Sequence, residues 1–268
     1  MSWSADRLLL RAAAVMLPVL VCSPGVAREL RLEEKVTALV KAYPDMIEAS
    51  RDGKLIMREG PPIPIDDGIR RNHAQMLVEG DVEDSLSQVY RPGSCEYRPS
   101  VDSDPGRIRN DQLMKHLYGA SAKAVQSSLV PVAWFGETLR VTSRNGVDKA
   151  LAAVREELAA DPAVRNYLTP SAGVFNWRKV AGQANLSVHS FGAAIDLNTK
   201  HADYWLWSGG KPGNVPTYKN RFPMKIVTAF ERHGFIWGGR WYHYDTMHFE
   251  YRPELLAIAK AAGISACD

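Results

Sequence analysis

The chain has 268 residues, 46% of them Ala, Val, Ile, Leu, Met, Phe, Trp, Tyr or Cys, enough for one sizeable core with an accessory segment. Its formal net charge is +3, compatible with an anionic polymer as partner but far from the dense basic footprint of a nucleic-acid binder. No basic run, Gly-rich phosphate loop or internal repeat is present, which sets aside nucleotide cradles and repeat arrays.

Residues 1–27 read as a secretory signal peptide. Arg7 and Arg11 supply the positive end, Ala12 to Cys22 the apolar stretch, and Gly25-Val26-Ala27 the small residues before a cut after Ala27. An uncleaved anchor is the alternative. The uncharged run from Ala12 to Ala27 contains Pro18, Pro24 and Gly25, and it is shorter than the ~20 residues a spanning helix needs. The expectation is an exported protein of the periplasm or cell envelope, with no stable membrane span in the mature chain. Loss of the leader removes Cys22 and leaves Cys95 and Cys267. These are either two buried thiols or one disulfide, and an oxidising compartment favours the bridge.

Residues 28–110 form an N-terminal accessory segment to which the sequence assigns no function beyond packing on the rest. The apolar spacing of Leu32, Val36, Leu39 and Val40 predicts an amphipathic helix over 31–42. Lys54 to Met57 reads as a strand, followed by the turn-rich GPPIPIDDG, and 92–106 is loop-like in its Pro, Gly, Ser and Asp content. From residue 111 to the end the pattern is that of the functional domain. Gln112 to Tyr118 is predicted helical, Leu129 to Thr142 one or two strands, Asn145-Gly146 a turn, and Val147 to Ala160 a helix burying Val147, Leu151, Val154 and Leu158. Residues 199–222 are a long aromatic-rich connection with Tyr204, Trp205, Trp207 and Tyr218, either a cleft rim or rings packed on the domain. A helix then runs from Pro223 to His233 with Pro at its first position, and a buried strand from Phe235 to Trp237 is turned by Gly238-Gly239.

Two stretches carry the chemistry: SVHSFGAAIDLN at 187–198 and DTMHFEY at 245–251. They offer His189, Asp196 and His248, with Asp245 three positions before the last. Two imidazoles and a carboxylate suit zinc, and three protein ligands leave one position open for water. His189 and Asp196 are seven positions apart, roughly 10.5 Å of rise on a helix, too far for one ion with bonds of ~2.0–2.2 Å. A turn at Ser190-Phe191-Gly192 and a strand from Ala193 to Asn198 solves this: Ile195 and Leu197 face the core, while Ala194, Asp196 and Asn198 face away. In a strand over Thr246 to Tyr251, Met247, Phe249 and Tyr251 share one face, and Thr246, His248 and Glu250 the other. Asp245 has the wrong parity and must sit at the strand's start or on a bulge. The bland alternative is a set of isolated, satisfied polar residues in strands, and the helical zinc motif His-Glu-x-x-His is absent.

These segments resemble the zinc D-Ala-D-Ala carboxypeptidases and L-Ala-D-Glu peptidases of bacterial cell walls: Ser-x-His, then Gly-x-Ala-x-Asp, then an acid, two residues and His. The likeness is clearest over 170–252 and looser back to 112. It implies an α+β fold whose small antiparallel sheet bears one zinc per chain on His189, Asp196 and His248, with helices packed on the other face. It implies Asp245 as the catalytic base, Arg178 in GVFNWRKVAG as a catalytic and substrate-binding cation on the oxyanion, where the bland alternative is a surface arginine whose stem covers Trp177, and Ser187 beside the site, bonded to the substrate or supporting the ligands from behind. It implies a peptidoglycan stem peptide as partner. D-Ala-D-Ala carboxypeptidase action is the expectation; an L-Ala-D-Glu endopeptidase of endolysin type, to which the Asp at 245 leans, and a non-catalytic zinc module are the alternatives. His243 reads as a residue behind the ligands or on the surface, His201 as an exposed loop residue with a metal ligand as the alternative, and Glu231 and Glu250 as structural.

Overall fold

The computed structural model describes residue 1, residues 27–180 and residues 185–268. The signal peptide expected over 1–27 falls, except for Met1 and Ala27, outside the described residues. No helix among the described residues is long and apolar enough to cross a membrane.

The N-terminal part opens with helix α1 (Leu32–Ala42), which buries Val36 and Leu39 as its spacing predicts. A three-stranded antiparallel sheet follows: β1 (Ile47–Arg51), β2 (Lys54–Met57) and β3 (Ile63–Pro64). The turn-rich stretch after β2 also contains β3, because Ile63 pairs with Leu55 and both side chains are buried. Two short helices come next, α2 (His73–Glu79) and α3 (Val82–Ser85). Residues 92–106 form neither helix nor strand. Beyond them lie α4 (Asp111–Tyr118), α5 (Ala122–Gln126), the hairpin of β4 (Leu129–Trp134) and β5 (Glu137–Thr142), α6 (Val147–Ala159) and α7 (Arg165–Leu168). The last part holds β6 (Ala194–Asp196), α8 (Met224–Arg232), β7 (Phe235–Trp237), β8 (His248–Tyr251) and α9 (Pro253–Ala262).

The last three strands form a sheet in the order β6-β8-β7, antiparallel throughout. Side chains alternate across a strand, and here the alternation separates core from site. Ile195, Phe249, Phe235 and Trp237 face the helices. Phe230 of α8 stacks on Phe249 with centroids 4.0 Å apart and meets Phe235 edge-on at 5.5 Å. These rings are sealed from water, each contributing about 1.5–3 kcal/mol by burial. Val147, Leu151, Val154 and Leu158 of α6 are buried behind them. The α+β arrangement, with helices on one face of a small antiparallel sheet, is the one expected.

The strands are shorter than predicted. β6 stops at Asp196 because Asn198 turns away: its Nδ2 donates to Asn166 O and Thr169 O, both at 2.7 Å, and its Oδ1 accepts from Lys200 N. Thr246 and Met247 lie in a turn ahead of β8. Pro223 is the cap before α8 rather than its first residue, since its ψ of 133° is extended. The N-terminal part is fastened to the rest. α1 packs on α9, the buried Tyr43 hydroxyl donates to Glu254 at 2.7 Å, and a disulfide joins Cys95 to Cys267.

Candidate active site

The pairing register sets Asp196 directly opposite His248 on β6 and β8. His189 arrives from a different element, a 3-10 turn over Val188–Phe191 that ends at Gly192. Gly192 has φ +66°, and a Cβ there would lie 2.7 Å from Leu129 Cδ2, so the turn closes against the β4–β5 hairpin only because the residue is glycine. Ser187 caps this turn, its Oγ accepting from His189 N at 3.4 Å.

Three donor residues converge. His189 Nε2 and His248 Nδ1 are 3.2 Å apart, Asp196 Oδ1 is 3.0 Å from His248 Nδ1, and Asp196 Oδ2 is 3.2 Å from His189 Nε2. Each imidazole is oriented from behind. His189 Nδ1 donates to Val174 O at 2.7 Å, and His248 Nε2 donates to Glu250 Oε2 at 3.1 Å. A ring that donates from one nitrogen offers the lone pair of the other, so two lone pairs and a carboxylate face one point. Such a point demands positive charge. His248 is pushed up to about 10: burial alone would lower it, but the hydrogen bonds and charges of Asp196 and Glu250 outweigh that. Asp196 is held well below the usual carboxylate range; burial opposes this, and the charge and hydrogen bonds of His189 and His248 win.

The donor set fits a tetrahedral dication. Zinc bonds of 2.0–2.1 Å place neighbouring ligand atoms roughly 3.3 Å apart, close to the three separations found. The partners behind the imidazoles are those a metal-bound histidine requires. A second observation is Asp245, whose Oδ1 is sealed from solvent and has no hydrogen-bond partner among the described residues. Its carboxyl is pushed up to about 6, first by burial and then by the charge of Asp196. Asp245 lies in a bridge to Tyr204 ahead of β8, and its N–H donates to Gly238 O at 3.0 Å. A Cβ on Gly238 would meet Asp245 O at 2.5 Å, so a side chain there would push Asp245 off its position.

These groups line one cavity of about 610 Å³ together with Arg178, Ser187, Tyr204 and Trp205. Arg178 is exposed, and its main chain is clamped by Ser190, whose Oγ accepts from Arg178 N and donates to Arg178 O. The aromatic connection divides between its two expected roles. Tyr204 and Trp205 line the cavity, whereas Tyr218 packs on Tyr244 and donates to Gly239 O. Trp207 is 62% exposed.

Several participants escaped the sequence. Glu250, expected to be structural, is the acceptor behind His248. Its parity on β8 was the available signal. Arg109, from the N-terminal part, donates to Glu250 at 3.3 Å and braces it. His73 and Arg107, from the same part, line the cavity. His243 is buried, its Nδ1 donating to Asp104 Oδ2 at 2.6 Å and its Nε2 accepting from Gly213 N. His201, expected to be exposed, is half-buried because it packs on Tyr167, and among the described residues it joins no group of possible metal ligands. Glu231 is buried and bonded to Tyr90, as a structural residue would be.

A family model described as D-alanyl-D-alanine carboxypeptidase matches residues 181–251. That stretch contains Ser187, His189, Asp196, Asp245 and His248, and ends short of everything upstream, Arg178 included. The match bears out the resemblance carried by the two motifs and supports a peptidase. No curated protein and no solved structure matches the chain.

Proposed function

We propose that the protein is a zinc peptidase acting on the stem peptide of peptidoglycan outside the cytoplasm, as a D-Ala-D-Ala carboxypeptidase. The observation that carries this reading is the convergence of His189, Asp196 and His248 beside the unpartnered Asp245 carboxylate. When bound, zinc supplies Lewis acidity and a water made acidic near neutral pH. The chain's own residues do the rest. His189, Asp196 and His248 hold the ion, with Val174 O and Glu250 fixing the rings. Asp245 accepts the proton of the attacking water and returns it to the leaving amine, a task suited to a carboxyl with a raised pKa. Arg178 donates to the carbonyl oxygen as it becomes an oxyanion. Tyr204 and Trp205 line the cavity, and rings that close one of its ends would suit removal of a terminal residue. The match to a carboxypeptidase model over 181–251 supports the same bond.

The second reading is cleavage between L-Ala and D-Glu, favoured by the shorter acid at 245. A pentapeptide stem incubated with the zinc-loaded protein separates them. Free D-alanine with a tetrapeptide remaining is the expected result. A peptide that begins at D-glutamate would overturn the bond assignment.

A further inference from the structure

The carboxypeptidase reading places two anionic centres on one substrate: the terminal carboxylate and the oxyanion formed at the scissile carbonyl. A single guanidinium, Arg178, does not serve both when they lie on opposite sides of the terminal Cα. The cavity is lined by two further arginines, and one of them, Arg109, is engaged by Glu250. The other, Arg107, from the N-terminal part, lines the cavity together with Arg178, Asp245 and His248. Its guanidinium lies over the Trp241 ring, 5.9 Å from the centroid, and Trp241 in turn tilts against His248 at 5.5 Å.

Arg107 is positioned from behind. Its Nη1 donates to Asp104 Oδ2 at 3.0 Å, the only hydrogen bond of this guanidinium among the described residues. Asp104 is fully buried and is itself shared, since it also accepts from His243 Nδ1 at 2.6 Å, His243 N at 2.9 Å and His73 Nε2 at 3.1 Å. One carboxylate spread over these donors fixes the arginine without using up its fork. A guanidinium has five N–H donors, and two remaining on one edge suit a carboxylate bidentately. His73 adjoins it, bonded to the same Asp104 oxygen, and its Nδ1 is sealed from solvent without a partner.

We propose that Arg107 is the specificity-determining residue of the cavity: it receives the free carboxylate of the substrate's terminal residue and leaves Arg178 to the oxyanion. The inference rests on the carboxypeptidase reading and gives the N-terminal part a role in substrate choice. It makes the enzyme selective for a peptide ending in a free acid over the same peptide ending in an amide.

The test is calorimetric binding of a D-Ala-D-Ala-terminated pentapeptide, as acid and as C-terminal amide, to the zinc-loaded full chain carrying Asp245→Asn to prevent turnover. The acid is expected to bind roughly 10- to 100-fold tighter, the range of a charge-assisted hydrogen bond. Adding Arg107→Gln should bring that ratio close to one with little change for the amide, and Arg107→Lys should leave an intermediate ratio. Zinc content and thermal unfolding establish that each variant is folded. An acid-to-amide ratio unchanged by Arg107→Gln overturns the proposal, and so does a parent protein without preference. Whether the protein with Asp245 intact releases D-alanine is scored separately, so the bond assignment stands or falls by itself.

Discussion

Two clusters in this molecule use the same residues, a pair of histidines around one aspartate, and both face the same cavity. His189, Asp196 and His248 are oriented by acceptors behind the rings, a carbonyl and Glu250, so that their inner atoms are all electron pairs. His73, Asp104 and His243 are arranged the other way. Both rings point N–H groups at Asp104, Arg107 adds a third donor, and His243 Nε2 is taken by the Gly213 N–H. The first cluster asks for a cation. The second already contains its cation, a guanidinium, and is a satisfied anion. Composition does not tell these apart; the hydrogen bonds on the outer side of each ring do.

The largest effect expected from this contrast is on the metal. His189→Ala or His248→Ala should abolish zinc retention and with it hydrolysis, while His243→Ala should keep about one zinc per chain. Elemental analysis after dialysis reads this directly, and full zinc in the first two variants would remove the assignment.

The difference between the clusters explains what was legible in the sequence. His189, Asp196 and His248 could be found because two short motifs place them and strand alternation assigns their faces. The α6 helix was legible from the apolar spacing of Val147, Leu151, Val154 and Leu158. Asp104 and Arg107 sit in a stretch with no periodicity, and the His243 that Asp104 binds is 139 positions away. A contact of that separation between loop residues leaves no local trace. Arg109 and Glu250 meet across a comparable distance. Strand ends were misjudged where a single side chain, Asn198, found better acceptors outside the sheet.

Next in size is Asp245→Ala. It should retain zinc and fold yet lose roughly 10²–10⁴-fold in turnover, the contribution of a positioned base. Near-normal turnover of a D-Ala-D-Ala pentapeptide would transfer the role elsewhere. A smaller effect is expected behind the ligands. Glu250→Gln keeps the shape but turns an acceptor-only group into one that can present an N–H to His248. Zinc affinity, measured by competition with a chelator, should fall roughly 10–100-fold, whereas the same substitution at Glu231 should leave it unchanged.

The second cluster answers to pH and stability rather than to metal. Asp104 is held well below the usual carboxylate range; burial would raise it, but hydrogen bonds from His243 and His73 and the charge of Arg107 prevail. A depressed carboxyl contributes stability that is complete above its unfolded pKa of ~3.9 and is lost as the pH falls below that value. Asp104→Asn should therefore cost about 1.5–3 kcal/mol near pH 7, and the gap from the unsubstituted protein should narrow as denaturant unfolding is repeated from pH 5 down to pH 2. A gap independent of pH would mean that the charge of Asp104 contributes nothing.

The most direct measurement is the anomalous scattering of crystals grown with zinc and collected on both sides of its absorption edge. We expect one strong peak per chain, within about 2.0–2.2 Å of His189 Nε2, His248 Nδ1 and an Asp196 oxygen, and none at Asp104. A peak among His73, Asp104 and His243, or none between His189 and His248, would contradict the distinction drawn between the two clusters.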